Sequence, residues 1–340
     1  MANMTGYRLR KSNRRLRIRV RRAIRMWAAH VRQIAPKAYL TKGRFAKLLG
    51  EYEPGATPND RQNILSEGAR IVDAGMNHAV MSYEGSVRLL TFKGGQPLPW
   101  SSMVLARTGF EATLRVLWIL DPTISDDLLV ARIAATIFEE LDENRKMLNE
   151  LPEEPAEDAL KQNQLMDEVL RQALANLEFL VTGSRRGAVT APTGEVAAFP
   201  FVMVDASNRW WSQVGVHTYR WLSGFTHAGS APARQREVPV AAVDATNTYL
   251  VLGLLTDAVW KAMDSYSMWV GMPIGLVRRK MANIYSYLRK KAPGGILKER
   301  PPSDIEKASL EMAAAFEETG LAHPKLVRRF TKNFVRRIDM

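Results

Sequence analysis

"SSMVLARTGFEATLRVLWILDP", residues 101–122, decides the fold class. Ser101 or Ser102 can cap a helix at its start. Asp121-Pro122 ends it, because the residue before a proline is pushed out of the helical region. Between these signals Val104, Leu105, Leu114, Val116, Leu117, Trp118 and Ile119 leave almost no polar side. A helix apolar on nearly every side has to be surrounded by other helices. The stretch therefore predicts a central bundle helix. Its polar exceptions, Arg107, Glu111 and Arg115, stand at i, i+4 and i+8 on one face. They form either an ion-pair ladder, which must be internally satisfied if buried, or part of a site.

The same periodicity extends in both directions. Upstream, "YRLRKSNRRLRIRVRRAIRMWAAHVRQ" becomes helical from about Leu16, with Leu16, Val20, Ala23, Ile24, Trp27 and Val31 as an apolar stripe. "EYEPGATPND" at 51–60 has turn chemistry and reads as a linker. A helix over about 61–92 follows, broken by "KGGQPLPW". Downstream, "ISDDLLVARIAATIFEELDENRKMLNEL" is a strong helix, "EEPAED" a short acidic break, and 158–181 another helix. Residues 182–200 read as the longest irregular segment. Helices resume over about 205–227, 242–270 and 274–291, with further helical segments beyond a Pro/Gly linker. Strand signals are nearly absent. The reading is an all-α, up-and-down helical bundle with basic helical extensions at both ends. Its parts are residues 1–50, 61–270 and 274–340.

Charge divides the chain in the same places. Residues 1–50 hold 15 Lys and Arg and no acid, and residues 278–340 hold 15 against 7 acids. The middle is left with a net charge of −10 within a total of +13. Basic flanks favour a polyanionic partner. Ten Lys and Arg between positions 8 and 25 exceed what a plain solvated face needs. Arg14, Arg15, Arg17, Arg19, Arg21, Arg22 and Arg25 are the candidate nucleic-acid contacts there. Arg185 and Arg186 join them from the irregular segment, and Arg328, Arg329, Arg336 and Arg337 from the last helix. RNA or another nucleic acid is the expected partner, with an anionic membrane surface as the lesser reading.

Several chemistries are excluded or unsupported. Cysteine is absent, which removes disulfides, thiolate metal sites and cysteine nucleophiles, and fits a reducing cytoplasm. No P-loop, dinucleotide fingerprint or H-E-x-x-H occurs, and five scattered histidines give no zinc spacing. No metal and no cofactor are expected. There is no apolar run that could span a bilayer and no clean secretory signal, so the expected location is the cytoplasm.

"HTYRWLSGFTHAG", residues 217–229, is the one stretch with an arginine and a histidine set for reaction. On a continuous helix Arg220, Ser223 and His227 share a face. Histidine can shuttle protons to and from a ribose hydroxyl, and arginine can clamp a phosphate. His217 lies three residues before Arg220. Trp210, Trp211 and Trp221 read as core or interface anchors.

These residues resemble the HEPN superfamily, helical bundles found in bacterial toxin and abortive-infection proteins. "YRWLSGFTH" is similar to their Arg…His signature, with Tyr219, Arg220, Ser223 and His227 in the matching positions. "LARTGFEATLRVLWILDP" is similar to their Arg-x-x-x-Glu helix, which places Arg107 and Glu111. The resemblance covers about residues 61–270. It implies a HEPN-like core, a metal-independent endoribonuclease active as a homodimer, and a role in phage defence or a toxin–antitoxin pair with a possible antitoxin or regulator. The residues also admit a non-catalytic helical protein that binds nucleic acid or an anionic membrane, with the Arg220/His227 pair purely structural.

Overall fold

The computed structural model describes residues 2–38, 43–50, 59–90, 99–150, 153–183, 187–226 and 240–291. Most of these residues are helical. In chain order the elements are α1 (Ala2–Ala38), α2 (Gly43–Leu49), α3 (Asp60–Leu90), α4 (Pro99–Ile119), α5 (Asp126–Leu148) and α6 (Glu153–Asn176). Three short strands follow, β1 (Leu180–Thr182), β2 (Gly187–Thr190) and β3 (Val196–Phe199). The chain then forms α7 (Met203–Thr226), α8 (Val240–Val270) and α9 (Gly275–Arg289).

Helix α4 packs on α3, α7 and α8. Its Met103, Ala106, Phe110, Leu114, Val116, Leu117 and Ile119 are buried, as expected of a helix with little polar surface. The helix stops where Asp121-Pro122 predicts. Asp121 is itself buried and accepts hydrogen bonds from the Thr123 backbone N–H (3.0 Å) and hydroxyl (2.7 Å). Arg132 lies 3.8 Å from the same carboxylate, and Arg209 also pairs with it. Burial lowers Arg132 to a pKa of about 10, against the pull of Asp121.

The apolar stripe of α1 joins this core. Leu16, Val20, Ala23, Ile24 and Trp27 are all buried, in one cluster with α3, α8 and α9. Each large side chain so placed contributes roughly 1.5–3 kcal/mol. Trp27 meets Tyr266 edge-on with ring centroids 5.3 Å apart, and the Tyr266 hydroxyl donates to Asp73 Oδ1 at 2.7 Å. Phe45 of α2 stacks edge-on against Trp269 at 4.9 Å. Both basic segments, over residues 16–27 and 274–288, therefore share one core with the middle of the chain.

Three details differ from the sequence reading. The segment 182–200 is an antiparallel meander of order β1-β2-β3, in register Val181 with Val189 and Val189 with Ala197. Its buried side chains are small (Val189, Ala197) apart from Phe199, which stacks on Phe138 of α5 at 5.4 Å. Strands of only three or four residues are too short for apolar alternation to show. The "EEPAED" break lies inside α6, because Pro155 falls in the first turn, where its missing N–H has no intrahelical partner to lose. The helix expected to reach 181 ends at Asn176. Glu178 takes a left-handed φ of 65°, and the Phe179 N–H returns to the Leu174 carbonyl at 2.9 Å.

Candidate functional site

The first candidate lies between α4 and α7. Arg107 Nε donates to Glu111 Oε1 at 2.7 Å, and its guanidinium stands 5.8 Å from the Tyr219 ring centre. Burial works to lower the Arg107 pKa, but Glu111 and Tyr219 outweigh it and hold the guanidinium above the ordinary arginine value. The three-residue ladder is split: Arg115 turns instead to Glu139 of α5 at 2.9 Å. One arginine, one carboxylate and one phenol are thus brought together and mutually satisfied.

The remaining α7 residues diverge from this cluster. Arg220, one step along the helix from Tyr219, is exposed. Ser223 is half-buried and donates to the Tyr219 carbonyl at 3.0 Å, so its hydroxyl is engaged within its own helix. His227, Arg185, Arg186, Arg328, Arg329, Arg336 and Arg337 lie outside the described residues. Trp211 packs on Phe110 at 5.2 Å, and its indole N–H donates to Asp257 at 2.7 Å. Lys261 pairs with the same carboxylate at 2.8 Å and sits over the Trp211 ring at 4.6 Å. Trp210 also packs partly buried on the core.

The second candidate lies between α1 and α9. Because its stripe faces the core, α1 turns Arg14, Arg15, Arg19, Arg21, Arg22 and Arg25 outward, all exposed, with Arg17 half-buried. Helix α9 is built the same way, burying Val277, Met281, Ile284 and Leu288. Their outer faces meet in a groove of about 520 Å³ lined by Arg19, Arg22, Lys280, Asn283, Ser286, Tyr287 and Lys290. Among the described residues no carboxylate lines it, and no Asp or Glu occurs in residues 1–50 or 265–298. Arg19 lies over the Tyr287 ring, 5.3 Å from its centre. Periodicity within α1 selected Arg19 and Arg22, whereas Lys280, Asn283, Ser286, Tyr287 and Lys290 went unselected. The signal for them was the acid-free run from 265 to 298.

Helix α9 is fixed to the bundle by a buried ion pair. Arg278 Nε donates to Asp264 Oδ1 of α8 at 3.0 Å. The adjacent carboxylates at the start of α5 are also engaged by arginines. Asp126 pairs with Arg44 at 2.8 Å and Asp127 with Arg61 at 3.2 Å. Among the described residues, no helix is long and apolar enough to cross a membrane.

Compared with protein-family models, with curated proteins and with solved structures, the chain matches none.

Proposed function

We propose that this chain is a helical nucleic-acid-binding protein that holds its ligand by phosphate contacts along the outer faces of α1 and α9. The observation that carries the reading is the groove between those helices, whose described lining residues include four cations and no carboxylate. Backbone phosphates reward such a surface strongly, and each one neutralised releases counterions. The fold also weighs against an interfacial membrane helix. Such a helix needs a free apolar face, and the α1 stripe is spent on the core, with Val20 and Ala23 fully buried. Fluorescence anisotropy with labelled RNA tests the reading. The logarithm of the affinity should fall linearly with log salt, and Arg14, Arg15 and Arg21 changed together to Gln should weaken binding with the fold intact. Absence of RNA and DNA binding at low salt would overturn it.

A second reading follows from the exposure of Arg220. Solvent access is what a phosphate clamp needs, and it sits one residue from Tyr219 beside the Arg107–Glu111 pair. In that reading the chain is a metal-independent endoribonuclease of HEPN type, acting as a homodimer in defence or toxin–antitoxin biology. His227 is general acid and base, Arg220 binds the scissile phosphate, and Ser223 and Tyr219 orient them. The test is cleavage of mixed cellular RNA in EDTA by wild type, His227→Ala and Arg220→Ala, each checked by circular dichroism. Cleavage lost in both folded variants supports an enzyme. Binding without cleavage leaves the binder.

A further inference from the structure

We infer that the groove between α1 and α9 takes a single strand of nucleic acid, with Tyr287 positioning Arg19 for a phosphate; this rests on the nucleic-acid reading above. The first argument is shape. The cations lie on the two walls of a recess, Arg19 and Arg22 on α1 facing Lys280 and Lys290 on α9. A duplex presents its phosphates on a convex surface, so it reaches only the rim of such a recess. One strand can lie inside and be contacted from both sides.

The second argument is length. Lys280, Asn283, Tyr287 and Lys290 follow at i, i+3, i+7 and i+10, so one face of α9 lines the groove. Ten residues at ~1.5 Å rise span about 15 Å. At ~3.4 Å per strand step that length holds about four stacked nucleotides. Asn283 and Ser286 place neutral hydrogen-bonding groups between the end cations, where a sugar hydroxyl or base edge would pass.

The third argument is preorganisation. An exposed arginine on a helix is conformationally free, and ordering it on a ligand carries an entropic cost. Stacking on Tyr287 at 5.3 Å limits Arg19 before any ligand arrives. Tyr287 is therefore a positioning residue, acting through Arg19.

The experiment is anisotropy of the full chain with a labelled strand of about 12 nucleotides, the matching duplex, and vesicles rich in anionic lipid as competitor. The single strand should bind at least tenfold more tightly than the duplex at the same salt. Lys280→Gln/Lys290→Gln should weaken the strand and lower the slope of log K against log salt by about 1.4, two contacts at ~0.7 each. Tyr287→Phe should keep the affinity and Tyr287→Ala should reduce it severalfold, with an unchanged dichroism spectrum in each. Equal affinity for duplex and strand, or an unaffected double variant, overturns the groove while leaving a nucleic-acid binder. Loss of all nucleic-acid binding, or displacement by vesicles at far lower concentration than by strand, overturns both. Should Tyr287→Ala misfold, Arg19→Lys replaces it: it keeps the charge, loses the planar stack, and is expected to weaken the strand.

Discussion

Arg278 and Asp264 form a buried pair, Nη2 to Oδ1 at 2.9 Å with the carboxylate side chain 1% exposed, and this pair fastens the basic helix α9 to α8. The two charges lie on either side of the bend at Gly271, whose φ is +74°. Removing one partner of a buried ion pair costs about 3–5 kcal/mol. Asp264→Ala should therefore lower unfolding stability by that order in a urea titration. Asp264→Leu/Arg278→Met should recover a large part, since an apolar pair of similar volume carries no desolvation cost. A double variant no better than the single one would show that the pair matters for something other than its charge.

The two faces of α1 predict opposite phenotypes. Trp27 is 3% exposed and packs on Tyr266, so Trp27→Ala should cost about 3–5 kcal/mol. Arg14, Arg15 and Arg21 are exposed, and changing all three to Gln should leave stability within about 0.5 kcal/mol per site. Thermal unfolding of both variants decides it. A Trp27→Ala protein as stable as wild type would mean that α1 does not dock on the bundle.

That docking marks the limit of what the sequence made legible. Stripes such as Leu16-Val20-Trp27, or the all-round apolar α4, report directly on helix and burial because both depend on residues within one turn or two. The partner of each stripe depends on residues far along the chain. Nothing in the spacing of Arg19 and Arg22 says that Lys280 and Lys290 stand opposite. The α4–α7 cluster was half legible: Arg107 and Glu111 do pair, but Arg115 leaves them for Glu139, a choice set by how α5 lies against α4. The meander escaped because its strands run for only three or four residues, shorter than the alternation that announces a strand.

Two glycines with left-handed backbones separate local strain from tertiary crowding. Gly43 has φ +92°, and a Cβ there would lie 2.4 Å from the Gly271 nitrogen and 2.6 Å from the Trp269 carbonyl. Gly50 has φ +72° with no described residue within 4 Å of the same added atom. Gly50→Ala should cost about 1–2 kcal/mol, the backbone term alone. Gly43→Ala should cost clearly more, about 3 kcal/mol or above, because the backbone of α8 must also move. Equal losses in chemical denaturation would contradict the close approach of α2 to the end of α8.

Neighbouring acids on α5 should respond to pH with opposite signs. Burial works to raise Asp142, but hydrogen bonds from Arg145 at 2.7 Å and Lys146 at 2.9 Å outweigh it and hold the carboxyl below its usual 3.8. Its stabilisation is present above that usual value and is lost as pH falls through the lowered folded one. Asp142→Asn should cost on the order of 1 kcal/mol at pH 7, and the difference should vanish under acid. Glu140 is raised above its usual 4.5 by burial, with Arg70 and Arg115 opposing. Its ionised form is the disfavoured one in the fold, so Glu140→Gln should raise stability at pH 7 and match wild type below about pH 4.5. Melting curves at pH 7 and pH 4 check the sign at Glu140, and a further curve at about pH 2 checks the loss at Asp142.

The crowding of cations around the α1–α9 groove should make salt a stabiliser of this protein. Arg19, Arg22, Lys280 and Lys290 face one another without a carboxylate among the groove's lining residues. Their mutual repulsion exists only when α1 is docked, so it opposes the folded state. Screening shortens from ~30 Å at 0.01 M salt to ~8 Å at 0.15 M, which removes much of that opposition. The melting temperature should therefore rise between those conditions, and rise further with a multivalent anion at equal ionic strength. Lys280→Gln/Lys290→Gln should start from a higher melting temperature at low salt and show a smaller rise. A wild-type melting temperature that falls with salt would place the dominant electrostatic term in the attractive pairs, such as Arg44–Asp126 and Arg61–Asp127, rather than in the groove.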